Sequence, residues 1–138
     1  MIMDELLEFA DATALDTSGT NSDLIGDVID LGSVTSDIGN GQPIYLVLRV
    51  NDAVTSAGAA TVVFTLASDA QAAIAVDGTQ TTHFSTAAIP LSGLTANSQQ
   101  IMVALPVDTY ERYLGIVTTT GTAALTGGSI DAYLTYDP

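Results

Sequence analysis

From Asp27 onward, the chain consists of short runs in which apolar and polar residues alternate, separated by clusters of Gly, Asn, Asp and Pro. Alternation with a period of two is typical of strands, because successive side chains point to opposite faces of a sheet. In "PIYLVLRV", Ile44, Leu46, Leu48 and Val50 fall on one such face. The pattern predicts eight strands: DVIDL (27–31), PIYLVLRV (43–50), ATVVFTLAS (60–68), AAIAV (72–76), HFSTAAI (83–89), QIMVALPV (100–107), YLGIVTTT (113–120) and SIDAYLTYD (129–137).

These strands, with no sustained helical periodicity between them, predict an all-β fold. The best match is an antiparallel β-sandwich of jelly-roll type, with an immunoglobulin-like sandwich as the alternative. In the last strand, Ile130, Ala132 and Leu134 are expected to face the core, while the opposite face is expected to be wet. A chain of 138 residues needs only one domain to bury such a core.

The N-terminal residues depart from this pattern. Nine of the sixteen acidic residues precede Asn40, and "DTSGTNSD" is a collection of turn residues. Only "MDELLEFADA" could form two turns of helix. We therefore expect an extended acidic N-terminal arm over residues 1–26 and a single β-sandwich domain over residues 27–138.

The charge restricts the possible partners. The formal net charge is -14, and the only basic side chains apart from one histidine are Arg49 and Arg112. Nucleic-acid binding depends on cations that displace counterions from phosphates, so this composition argues against it. There is no cysteine, so the sequence does not indicate a redox compartment. There is no secretory signal pattern and no apolar run long enough to span a membrane, so we expect a soluble protein made in a cytoplasm with no membrane partner.

Few residues are candidates for catalysis. The single histidine, His83, has no acidic neighbour in the local sequence, and we interpret it as a strand residue at a rim or interface rather than a general base. Asp108 and Glu111 lie beside two tyrosines and could form a glycosidase pair. We favour a structural interpretation, in which Glu111 or Arg112 forms an ion pair across strands at the start of a strand.

Metal and phosphate sites are also not expected. Asp23, Asp27 and Asp30 are close in sequence, but their spacing does not match the calcium loop of an EF-hand. The glycine turns "TGTAAL" and "LTGGSI" lack the lysine and the following helix of a phosphate-binding loop. The sequence therefore predicts no enzyme, no cofactor and no metal.

Several segments carry a resemblance to a known family. They are "VIDLGS", "GQPIYLVLRVNDAV", "TVVFTLASD", "AAIPLSGLTA" and "LPVDTYERYLGIVTTTGTAALTGGSIDAYL". In this order they resemble the head cement, or decoration, proteins of tailed bacteriophages. The chain departs from that family at Gly115 and Ile116, where relatives carry basic residues, and in its strongly acidic charge.

The resemblance implies a small jelly-roll protein on the outer surface of an expanded capsid. Such a protein clamps neighbouring subunits of the major capsid protein, and the resemblance further implies a homodimer near two-fold positions. We expect the arm to supply one contact by ordering on the capsid or on a neighbouring copy, because apolar residues are rarely retained on a free tail. The assembly candidates are Ile2, Leu6, Leu7 and Phe9 in the arm, and Arg112 and Tyr113 at the start of a strand.

Arg112 lies between two tyrosines, where its planar guanidinium could bind carboxylates or backbone carbonyls while stacking on an aromatic ring. Two other function classes remain open. One is another virion component, such as a neck, tail or fibre-base protein. The other is a carbohydrate-binding sandwich, for which Tyr110, Tyr113, Tyr133 and Tyr136 would be the aromatic platform.

Overall fold

The computed structural model describes residues 5–32, 41–136 and 138. Two short 3-10 helices lie in this part of the chain, Glu5–Leu7 before the first strand and Leu91–Gly93 after the sixth. None of its helices is long and apolar enough to cross a membrane. The strands are β1 Glu8–Ala14, β2 Ser22–Asp30, β3 Tyr45–Ser56, β4 Thr61–Asp69, β5 Thr81–Ser85, β6 Ile89–Pro90, β7 Gln99–Ala104, β8 Tyr113–Gly121 and β9 Leu125–Thr135.

The strands form two antiparallel sheets, in the orders β1-β9-β3-β7 and β2-β8-β4-β5, with β6 also paired to β4. The first strand pairs with the last, with Glu8 opposite Tyr133. The second strand pairs with the last but one, with Ser22 opposite Thr119. This nested pairing is the topology of a jelly roll, so the predicted fold class is confirmed.

The core lies between the two sheets and is aliphatic. The predicted inward faces of β3 and β9 are buried, and the most tightly enclosed side chains include Leu46, Leu48, Val50, Ile130 and Leu134. The outer face of β9 is less exposed to solvent than expected, because β9 is a central strand. Its Tyr133 lies between Val47 and Glu8 on the neighbouring strands and is almost fully covered.

The boundary expected at residue 26 is wrong. Both β1 and β2 are sheet strands, and Phe9 and Ile25 belong to the core between the sheets. The two strands lie side by side: Gly26 has φ +74°, and a Cβ built on it would lie 2.1 Å from the carbonyl oxygen of Phe9. The residues from Glu8 onward are therefore part of the sandwich and not a separate arm.

The predicted strand 72–76 is a second difference. These residues belong to the connection between β4 and β5, which folds over the outer face of its sheet. There Ile74 packs against Ala67 and Val117, and a Cβ on Gly115 would lie 2.8 Å from the Ile74 Cδ1 atom. An apolar run of this length fits a strand or a covering loop equally well by pattern alone.

The two ends of the sandwich differ. The strand registers show which strand ends lie together. At one end of the sandwich four strands begin, namely β1, β3, β5 and β8. At the same end the other long strands finish, namely β2, β4, β7 and β9. We call this the loop end, because the connections 70–80 and 105–112 lie there. The opposite end carries the short turns 57–60 and 122–124 and the connections 15–21, 86–88 and 91–98.

Candidate functional site

Three polar side chains form a continuous hydrogen-bonded chain at the loop end. The Oγ of Ser68, at the end of β4, lies 2.7 Å from Nε2 of His83 in β5. Nδ1 of the same histidine lies 2.7 Å from Oδ2 of Asp108 in the β7–β8 connection. The backbone N–H of Glu111 donates to the Ser68 Oγ at 3.2 Å.

The local backbone of β5 explains why His83 reaches this position. Leu66 pairs with Phe84 and Ala67 pairs with Thr82, so His83 is the extra residue of a β-bulge. A bulge redirects a side chain relative to the regular alternation of a strand. The side chain of His83 is fully buried, whereas that of Asp108 is 46% exposed.

For a neutral His83 ring, the hydrogen bonds define one arrangement of protons. An ionised Asp108 can only accept, so Nδ1 of His83 carries the proton. In the neutral ring Nε2 then accepts from the Ser68 hydroxyl, which in turn accepts from the Glu111 N–H. The hydrogen bond from His83 holds the pKa of Asp108 below its usual value, and the N–H of Thr109 adds to this effect.

A buried tyrosine fixes the same connection. The Tyr110 hydroxyl donates to the carbonyl of Pro106 at 2.5 Å, and its ring centroid lies 4.1 Å from that of His83. Burial, followed by the charge of Asp108, raises the pKa of Tyr110 to about 12. The connection 105–112 is thus held by its own hydrogen bond and by the Ser68–His83–Asp108 chain.

Sequence reasoning missed this group because its members are far apart along the chain. His83 follows Ser68 by 15 positions and precedes Asp108 by 25. The order of atoms matches that of a serine nucleophile, a base and an orienting acid. However, Ser68 is fully buried and its oxygen is already bonded on two sides, so a substrate has no route to it in this conformation.

Arg112 forms the contacts expected of its guanidinium. Nε and one terminal nitrogen donate to the two carboxylate oxygens of Asp30, at 2.9 and 3.0 Å. The guanidinium carbon lies 5.1 Å from the centroid of the Tyr113 ring. The hydrogen bond lowers the pKa of Asp30 and raises the pKa of Arg112. This pair connects the end of β2 to the start of β8, where the Leu31 N–H also donates to the Arg112 carbonyl.

The four candidates near the N-terminus have different environments. Ile2 lies outside the described residues. Phe9 is a core residue with 1% exposure, and Leu7 packs against the core. Leu6 is 80% exposed. Among Leu6, Leu7 and Phe9, Leu6 is therefore the residue with the largest exposed surface.

Leu6 stands at the rim of an open groove between the start of β1 and the end of β2. The groove has a volume of about 670 Å³, and its walls combine apolar and acidic side chains. It is lined by Leu6, Glu8, Asp27, Val28, Ile29 and Asp30.

The structure also gives the environments of the residues considered for a metal site, a sugar platform and a glycosidase pair. Within residues 5–32, 41–136 and 138, no three His, Asp or Glu side chains are grouped so that they could hold a metal ion. Two of the four tyrosines considered as a sugar platform, Tyr110 and Tyr133, are buried. Glu111 accepts a hydrogen bond from the Thr81 hydroxyl at 2.5 Å, so it braces the start of β5.

Comparison with known proteins identifies the family. No curated protein matches the chain. The family model of Bbp16 matches residues 9–134, which is nearly the whole sandwich. The chain therefore belongs to the phage-associated Bbp16 family, which indicates a phage-related structural protein.

Proposed function

We propose that this protein is a cement, or decoration, protein that binds the outer surface of a tailed-phage capsid. It would clamp neighbouring subunits of the major capsid protein and stabilise the expanded head, after synthesis in the cytoplasm of the bacterial host. The observation that carries the proposal is the match to a phage-associated family over residues 9–134 of a jelly-roll chain. The resemblance of the segment Leu105 to Leu114 to cement proteins supplies the specific role.

The distribution of charge supports an exterior position. Both arginines already contact acidic groups, Arg112 with Asp30 and Arg49 with Asp131 at 3.5 Å. With a net charge of -14, the surface would be repelled by packaged DNA. A position outside the shell removes this repulsion.

We propose a structural and not a catalytic role. Among the described residues, the arrangement that resembles catalytic machinery is Ser68–His83–Asp108. Its serine and its histidine side chain are buried, and its hydrogen bonds hold the connection 105–112. A clamp needs rigid surfaces more than reactive groups. An assay with an activated ester tests this point: turnover that disappears in Ser68→Ala while the fold is retained would contradict it.

We also propose, on the basis of the resemblance, that the protein acts as a homodimer near two-fold positions. A symmetric oligomer that touches two capsid subunits gains effective concentration after its first contact. Individually weak patches then suffice for stable decoration.

The decisive experiment uses expanded heads assembled without this protein. The purified protein is added, the heads are pelleted, the bound copies are counted, and the temperature at which the heads release DNA is measured. Saturable binding of hundreds of copies with a raised release temperature would support the proposal. A dozen copies or fewer per virion would indicate a neck, tail or fibre-base protein instead, and no binding to heads would contradict the cement role.

A further inference from the structure

The exposed apolar side chains are unevenly distributed over the molecule. Among the described residues, the large apolar side chains that face solvent are Leu6, Val76, Met102, Val107 and Tyr136. Leu6 precedes β1, Tyr136 follows β9, and Val76 and Val107 lie in the two long connections of the loop end. Met102 is two residues from the end of β7 at the same end. The turns of the opposite end, as described, contain no such residue.

Two of these residues are almost entirely in water. Leu6 is 80% exposed and Val107 is 81% exposed. Single exposed apolar residues are common on protein surfaces, but their concentration at one end is typical of an interaction surface, and one of them, Leu6, also lines an open groove. The hydrogen bonds of Asp108 and Tyr110 hold the connection that presents Val107, so this residue is displayed on an ordered segment.

The charges around the loop end restrict the partner. Glu8, Asp27 and Asp30 line the groove, and Asp108 lies in the same connection as Val107. The one cation at this end, Arg112, is paired with Asp30. A second copy docked here about a two-fold axis would bring like charges together, because symmetric interfaces oppose the same patch on both subunits. A protein surface with lysine or arginine around apolar residues would complement it.

We infer that the loop end, with Leu6 and Val107 as its apolar contacts and the acidic groove beside Leu6, is the surface that docks on the capsid shell. Its occupant is a segment of a shell subunit that combines apolar side chains with lysine or arginine. This inference rests on the proposed cement function and adds which part of the molecule faces the shell. A dimer contact would then use another face of the sandwich.

The test compares single substitutions in the same head-binding assay. Leu6→Asp and Val107→Asp add a charge at positions that are already in solvent, so the fold should be retained, as thermal unfolding can verify. Ala59→Asp is the matched control, since Ala59 is exposed in a turn at the opposite end. We expect Leu6→Asp and Val107→Asp to weaken head binding by about tenfold or more, and Ala59→Asp to bind as the wild type does.

The charge of the occupant is tested with Leu6→Lys. Against a basic partner segment, lysine should weaken binding more than aspartate does, and binding by the wild type should weaken as salt is raised. Leu6→Lys binding more tightly than Leu6→Asp would contradict a basic occupant. If Leu6→Asp instead dissociated a free oligomer in sedimentation, the occupant would be a second copy and the inference would be wrong.

The outcomes separate the two proposals. If the wild type bound heads and all the substitutions left binding unchanged, the docking surface would be wrong while the cement function remained supported. If the wild type did not bind heads, the cement function would be wrong and the docking surface would be rejected with it.

Discussion

The carboxylate of Asp108 lies 2.7 Å from Nδ1 of His83, a residue 25 positions earlier in the chain. The other ring nitrogen of His83 lies 2.7 Å from the Ser68 Oγ, so one buried side chain connects two strands to the β7–β8 connection. In this phage-related protein, three side chains in the order of a catalytic triad thus fasten the β7–β8 connection to β4 and β5.

The Ser68 hydroxyl is expected to contribute measurably to stability. Ser68→Ala leaves the Glu111 N–H and the His83 ring nitrogen without this partner. An unsatisfied buried polar group costs about 1–3 kcal/mol, so the free energy of unfolding in urea should fall by that amount. The control is Ser92→Ala, at an exposed serine in the second 3-10 helix, which should change it little. Equal stability of the two variants would contradict the fastening role.

Acid should weaken the loop end. The pKa values of Asp108 and Asp30 are lowered in the folded protein by their hydrogen bonds to His83 and Arg112. Their stabilisation is therefore complete above the unfolded pKa, about 3.9, and is lost as the pH falls through the lower folded value.

The measurement is Tm against pH for the wild type and Asp108→Asn. The difference in Tm between them should be largest near neutral pH and should shrink below about pH 4. Asp11→Asn, at an exposed position in β1, is the control, and its Tm should change with pH as the Tm of the wild type does. A constant difference down to pH 2 would show that the charge of Asp108 is not the cause.

The N-terminal strand should be necessary for stability. Phe9→Ala removes a core side chain and should cost about 3–5 kcal/mol in unfolding free energy. Leu6→Ala, three positions earlier but exposed, should change stability by no more than about 0.5 kcal/mol. If chemical denaturation gave similar values for the two variants, β1 would not be part of the cooperative sandwich. Deleting residues 1–20 would remove β1 and is expected to impair folding itself.

Gly26 and Gly32 offer a matched pair. Both have a left-handed φ, +74° and +75°, but only Gly26 lies against another backbone segment. Replacing either glycine by alanine should lower the free energy of unfolding by about 1–2 kcal/mol, because alanine disfavours a left-handed φ. Gly26→Ala should be clearly more destabilising in thermal unfolding, because its Cβ would overlap the Phe9 carbonyl oxygen. Equal losses would mean that β1 and β2 are farther apart than described.

Arg112 should not be replaceable by lysine. Lysine keeps the charge but cannot donate to both oxygens of Asp30 in a planar arrangement, nor stack in the same way on Tyr113. We expect Arg112→Lys to have a lower Tm than the wild type. A double-mutant cycle with Asp30→Asn should show that the two effects are coupled, and a wild-type Tm for Arg112→Lys would contradict this role.

The central strands could be predicted from sequence because they alternate regularly. Ile44 to Val50 and Ile130 to Leu134 are buried on the predicted faces. β1 could not be recognised in this way, because its pairing with β9 is interrupted twice, between Glu8 and Ala10 and between Ala10 and Thr13. These irregularities destroy the period of two on which the prediction depends.

The contacts at the loop end were predicted only in part. The sequence indicates that Arg112 could bind a carboxylate or a backbone carbonyl, but its partner Asp30 is 82 positions away. The environment of His83 depends on a bulge in β5, which no pattern of residue types specifies. Registers and bulges are set by the whole sheet, and local sequence does not encode them.

The pairing of the first strand with the last also has a consequence for how the protein is made. Glu8 cannot meet Tyr133 until β9 has left the ribosome. Such sequence-distant pairing slows folding to the range of milliseconds to seconds that is typical of all-β sandwiches. Closure of the first sheet therefore waits for β9, which is the neighbour of both β1 and β3.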